Sequence, residues 1–211
     1  MNAVTEQFLN VPTGLFTHTD VALAMPGSDD SRHGKVKRAL ASGEIVSIRR
    51  GLYTLARPYR RYPINLYALA QRVHGPSYVS MESALSYHGW IPEAVRTCTN
   101  ASLGNAKTFQ TPIGRFTYER VPQRVFYTAV ERLDDGDLGV ALMATPAKAL
   151  VDYYYVRRPS WSTIRDAAGS LRIEPEDLSQ VSMAELDELA ENYRNRRVLA
   201  FLADWKETLA Q

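Results

Sequence analysis

Apolar positions along the chain follow a helical period in some segments and a strand-like alternation in others, and the switches between the two divide it into elements. Residues 3–9 read as a short helix, closed by Pro12 and Gly14. Phe16 leads into a second helix, from about Asp20 to Met25, with Thr17 or Thr19 available as its cap. Pro26-Gly27 ends it, and Ser28-Asp29-Asp30-Ser31 offers caps for a third helix reaching about Ser42. On that third helix Val36, Ala39 and Leu40 share one side and are expected to face a core. After a glycine break, Ile45 and Ile48 mark an ascending strand, Arg49-Arg50-Gly51 a tip, and Leu52, Tyr53 and Leu55 the return. Gly51 supplies the positive φ that a tight hairpin often requires.

Farther along, Leu66–Val73 reads as a helix ended by Gly75-Pro76. Ser80 is the expected cap of the next helix, in which Met81, Ala84, Leu85 and His88 repeat at helical spacing until Gly89. The pattern then turns to strands. These are Val95–Thr99, residues 111–120 with Phe116, Tyr118 and Arg120 alternating against Thr117, Glu119 and Val121, and Val140–Met143. Thr145 caps a further helix with Pro146 at its first position. The tail reads as helical throughout. Trp161, Ile164, Ala168 and Leu171 share a face, Ser182 and Glu185 form a capping box, and Val198, Leu202, Trp205 and Leu209 make a stripe. Two heptads are too few for a coiled coil, so packing onto the domain is expected, with a partner or dimer surface as the other reading. The expected fold class is α+β: an N-terminal winged helix-turn-helix over residues 1–62, then a mixed α/β domain with a helical tail over residues 63–211.

Charge sharpens this division. Residues 1–72 hold ten Lys/Arg against five acids, whereas the remainder holds fifteen basic and eighteen acidic side chains. A net +5 in one half and −3 in the other points to a polyanion partner for the first half. The outward side of the third helix carries Ser31, Gly34, Lys35 and Arg38 at i, i+3, i+4, i+7, with Lys37 flanking. Such a stripe suits the major groove: the cations reach base edges or phosphates, and Gly34 lets the backbone approach the duplex. Arg49 and Arg50 are expected to carry charge to phosphate from the hairpin tip. The competing reading is a solvated helix face and an ordinary hairpin. Solvated faces are usually mixed in sign, while here the acids stand only at the helix N-terminus, where they suit its dipole. Arg57–Pro63 reads as an extended, solvated linker.

Other chemistry finds less support. The four histidines lack the i, i+4 pairing of a helical zinc site, and Cys98 stands alone, so no cysteine-based zinc site or internal disulfide is expected. His88 with Ser83 or Ser86 and Asp152 makes a triad only on paper, because neither serine sits on a strand–turn–helix elbow. Asp134-Asp135-Gly136-Asp137 opens like a calcium loop, but Thr145 stands where the bidentate acid belongs. Glu119 and Lys148 hint at a metal-dependent nuclease without a second carboxylate. No glycine-rich phosphate loop occurs. The chain is therefore expected to be no enzyme and to use no cofactor or metal. No stretch approaches a membrane span, and the first residues lack the pattern of a secretory signal, so a cytoplasmic protein without membrane contact is expected.

The hairpin ending in RRGLY, the segment YVSMESALSYHGWIPE, and the later TPIGRFTYER and ATPAKALVDY together resemble the AbiEi antitoxins. The resemblance covers about residues 13–156 and leaves 157–211 unmatched. It implies a winged helix-turn-helix joined to an antitoxin domain. It also implies an autorepressor acting at inverted repeats in operator DNA, and protection against a nucleotidyltransferase-like toxin without a stable complex, as in type IV toxin–antitoxin systems. Some relatives are stand-alone regulators without a toxin, and that reading stays open here. A DNA-processing enzyme targeted by the winged helix is a third reading, disfavoured by the missing cluster of carboxylates.

Overall fold

The first 55 residues fold as α1 (Ala3–Phe8), β1 (Leu15–Thr17), α2 (His18–Ala24), α3 (Asp29–Ala41), β2 (Ile45–Arg49) and β3 (Leu52–Leu55). This computed structural model describes all residues, 1–211. Each helix begins where a short polar side chain can take an orphan backbone N–H. Asn2 accepts from Val4 N, Ser28 accepts from Ser31 N at 3.3 Å, and Thr17 and Asp20 complete a reciprocal capping box. The strand β1 was not expected from the sequence. It pairs antiparallel with β3, giving a sheet in the order β1-β3-β2. Beneath it Phe8 stacks on Phe16 at 4.1 Å, joined by Val21, Val36, Ala39, Ile45 and Leu55.

Residues directly opposite in an antiparallel pair share a sheet face. Tyr53, Leu55 and Ile45 thus face the small core, whereas Leu15, Ile48 and Leu52 belong to the larger core of the rest of the chain. A bulge intervenes between Ser47, which pairs with Tyr53, and Arg49, which pairs with Leu52. The extra residue moves Arg49 to the face of Leu52.

The expected linker opens with a 3₁₀ turn at Arg57–Tyr59; Arg57, Pro58, Arg61 and Pro63 are exposed as expected, whereas Tyr59 and Arg60 lie against the N-terminal unit. Tyr59 packs on the small core, and the Arg60 stem runs so close to Gly14 that a Cβ there would lie 3.2 Å from it. Burial lowers the Arg60 pKa. An arginine stem covering apolar surface explains the departure from the extended form.

The larger unit comprises α4 (Leu66–Val73), β4 (Ser77–Val79), α5 (Glu82–Tyr87), β5 (Thr97–Ser102), β6 (Lys107–Gln110), β7 (Arg115–Arg120), β8 (Val130–Asp134), β9 (Val140–Ala144) and α6 (Pro146–Arg157). Its six strands run in the order β6-β7-β5-β4-β9-β8, with β5–β7 and β4–β9 parallel and the other pairs antiparallel. Phe116 and Tyr118 point inward and are fully buried, as their alternation predicts, while the strand expected at Val95–Thr99 begins two residues later. Cys98 lies on this central strand, and burial pushes its thiol up to about 12, so it behaves as a small apolar side chain.

The tail forms α7 (Ile164–Leu171), α8 (Pro175–Ser179), α9 (Met183–Asn192) and α10 (Arg196–Leu209). Leu186, Leu189, Val198, Phe201, Leu202 and Trp205 join the same core as the sheet, so the tail packs onto the domain. Two of the expected caps differ. Met81, at φ +55°, precedes α5 where Ser80 was expected, because the Ser80 hydroxyl is drawn to Asp152 at 2.7 Å. Ser182 does cap α9, but Glu185 accepts from Thr145 Oγ1 at 2.6 Å and does not close the box.

Candidate nucleic-acid interface

The amphipathic spacing of α3 puts Val36 and Ala39 inside and leaves Ser31, Lys37 and Arg38 exposed, with Gly34 and Lys35 half-buried. No carboxylate forms an ion pair with Lys35, Lys37 or Arg38. Their charges are available to an external anion. The acids of the first turn are Asp29 and Asp30. Arg32 holds the Asp29 carboxyl below its usual range, bonding it at 2.6 Å.

Arg32 and His33 serve the turn between α2 and α3. The Arg32 guanidinium also donates to the carbonyls of Met25, at 3.3 Å, and Gly27, closing the end of α2. The His33 ring meets Asp29 O at 2.8 Å and stacks on His18 at 4.1 Å. These contacts join the start and end of α2 to the first turns of α3. Sequence reasoning missed these contacts, and the Asp29-to-Arg32 spacing was their only visible signal.

The hairpin turn consists of Arg50 and Gly51, with Gly51 at φ +77°. Arg49 is not at the tip: the bulge places it at the end of β2 on the side of the larger domain. Its charge is felt there by His74 and Tyr118, and it helps to lower the His74 pKa, which burial depresses first. Among the sequence-selected residues, Ser31, Gly34, Lys35, Lys37 and Arg38 therefore share α3, Arg50 occupies the adjoining turn, and Arg49 is separated from them by the sheet face.

Internal packing does not require a glycine at position 34. A Cβ there would meet only the flexible end of Arg38, at 3.6 Å. Glycine in a helix interior costs about 0.5–1 kcal/mol relative to alanine. Gly34→Ala is accordingly expected to raise unfolding stability by about that amount, and groove docking through this face predicts weaker DNA binding as well, because the new methyl would stand between helix and duplex. Urea unfolding paired with fluorescence anisotropy on promoter DNA checks both halves. A stabilised variant with unchanged affinity would remove Gly34 from the interface.

The residues of the paper triad do not meet. His88 Nε2 lies 2.9 Å from Ala144 O, Ser83 donates to Thr97 O, and Ser86 donates to Glu93 O. Glu119 pairs with Arg157 at 3.6 Å, and Asp134 accepts from Arg132 and from Gly136 N. Asp152 and Lys148 instead form a fully buried pair at 2.7 Å. Asp152 also accepts from Ser80 at 2.7 Å, from Tyr78 at 2.9 Å and from Tyr193. Burial lowers the Lys148 pKa against the pull of Asp152, and burial raises both tyrosines well above their usual value. The network ties α6 to β4 and to the end of α9. Against protein-family models and curated protein sequences, the chain finds no match.

Proposed function

We propose that this protein is a DNA-binding transcriptional repressor whose first 62 residues act as a winged helix-turn-helix. In this reading α3 enters the major groove of an operator, and the hairpin reaches phosphate through Arg50. Ser31, Gly34, Lys35, Lys37 and Arg38 form the groove-facing set, and Arg49 takes the lesser part of an electrostatic neighbour. The observation that carries the reading is the unpaired, single-sign face of α3 next to a hairpin that closes on Arg50-Gly51. The element order α1-β1-α2-α3-β2-β3 supports it, since two consecutive helices followed by an antiparallel hairpin are what such a docking mode uses.

The resemblance to the AbiEi antitoxins extends the proposal. Residues 63–211 would counter a nucleotidyltransferase-like toxin encoded beside this chain, in the cytoplasm and without forming a stable complex with it.

Neutralising four to six phosphates makes the affinity for the chain's own promoter fall with salt at a log–log slope of about −4 to −5. A titration between low and physiological salt measures it, and an affinity indifferent to salt would refute the groove assignment. The antitoxin half is tested separately in full-length protein. A Lys35→Ala/Arg38→Ala variant co-expressed with the adjacent candidate toxin is expected to rescue growth while the promoter is derepressed. Growth arrest by that folded variant would show that protection depends on DNA binding.

A further inference from the structure

Where the end of α6 meets the start of α10, the larger unit carries two adjoining depressions of about 420 and 200 Å³. Arg124 and Arg194 line the larger, Arg158 and Arg197 the smaller, and Tyr155 and Asn195 belong to both. Neither lining contains an aspartate or a glutamate. None of the four arginines forms an ion pair. This runs against the balance of the domain, since residues 73–211 hold eighteen acids against fifteen bases. Two other polar depressions mix arginine with Glu82 and Glu119, or with Glu188 and Glu191. Arg124 borders the second of these as well, yet pairs with neither glutamate. Like charges gathered in one groove repel each other, and a multiply charged anion offsets that repulsion.

The groove is braced from within the chain. Arg197 donates to Pro159 O at 2.7 Å and lies 4.3 Å from the centre of the Tyr154 ring, so neutral partners fix its guanidinium. Arg158 closes α6 at φ +49°, a left-handed position that glycine or asparagine takes at less cost. Asn192, buried in the wall of the larger depression, accepts from Val125 N at 2.6 Å and donates to Gln123 at 2.9 Å. Gln123 donates in turn to Tyr78 OH at 2.6 Å, which joins this wall to the Asp152 network. Asn195 caps α10 through its side-chain oxygen, so the positive end of that helix opens between the two depressions.

Arginine forks match phosphate oxygens two at a time, and a tyrosine ring offers a nucleobase a stacking face. We propose that this groove binds a nucleoside triphosphate. The phosphates lie among Arg124, Arg158, Arg194 and Arg197, and the base rests on Tyr155, which is half-buried and borders both depressions. The site stands independently of the DNA-binding reading, because none of its residues belongs to α3 or the hairpin.

The test uses the full chain, with the four ribonucleoside triphosphates and inorganic triphosphate as probes and calorimetry as the readout. At least one nucleotide is expected to bind with a Kd of about 1 mM or tighter and one site per chain. Arg124→Ala/Arg194→Ala, both exposed positions, is expected to weaken that nucleotide and inorganic triphosphate alike by about tenfold or more. Tyr155→Ala is expected to weaken the nucleotide by about tenfold and to leave inorganic triphosphate unaffected, while Tyr155→Phe keeps both. Because α3 is also basic, the titration is repeated in Lys35→Ala/Arg38→Ala, where the nucleotide affinity is expected to persist. No saturable binding of any of the four nucleotides would overturn the proposal. So would binding that is lost with Lys35 and Arg38 but kept in Arg124→Ala/Arg194→Ala. Equal affinity for nucleotide and inorganic triphosphate in the wild type and in Tyr155→Ala would reduce the groove to a general anion patch, and the nucleotide assignment would fall.

Discussion

Asp152→Ala is expected to destabilise the protein by about 3–5 kcal/mol, the range seen when one partner of a buried ion pair is removed. Four donors converge on this carboxylate: Lys148 Nζ, Ser80 Oγ, Tyr78 OH and Tyr193 OH. All of them are buried. Without Asp152 the ammonium must either stay charged in an apolar surrounding or give up its proton, and the hydroxyls lose their common acceptor. Lys148→Met is expected to cost less, since the remaining carboxylate keeps three hydroxyl donors and the new side chain is apolar and of similar length. Urea unfolding of the two variants gives the ordering directly. Equal losses, or an Asp152→Ala variant within 1 kcal/mol of wild type, would mean that the pair is not ionised in the folded protein.

The second large effect is on DNA. Lys35→Ala/Arg38→Ala is expected to lower operator affinity by about 10²–10⁴, since each good base-edge contact is worth about 1–3 kcal/mol. Arg38 is exposed and Lys35 half-buried, and neither has an ion-pair partner, so urea unfolding of the variant separates lost binding from lost folding. Arg50→Ala should behave differently. A phosphate contact is worth about one unit of salt slope and affects all sequences alike. Arg49→Ala is expected to do less than Arg50→Ala, because the bulge turns it toward the larger domain. Competition between operator and unrelated DNA at two salt concentrations separates these outcomes. A double variant that still discriminates its operator would shift recognition away from α3.

The helices of the first unit were legible because their signals are local. A cap and an apolar stripe lie within a dozen residues of each other, as Ser28, Val36 and Ala39 do on α3. The bulge at Ser47/Arg49 was not, because strand alternation assigns faces by parity and one additional residue reverses every later assignment. Two of the unexpected strands, β6 and β8, are the edges of the large sheet. Their sequences, KTFQ and VERLD, carry the charged residues typical of edges and so lack a clean apolar alternation. Of the buried network, the four-residue spacing of Lys148 and Asp152 was in plain view. Its meaning was not, since Tyr78 and Ser80 come from 74 and 72 positions away and Tyr193 from 41.

Leu15, Ile48 and Leu52 have a practical consequence for anyone transplanting the N-terminal unit. These side chains of the hairpin sheet are shared with the neighbouring core, so residues 1–62 are not an interchangeable cassette. A chimera that fuses them to a foreign effector inherits three apolar side chains with no place to go, an exposure that favours self-association. Polar replacements at those positions, made together with the fusion, would give the graft a finished surface of its own.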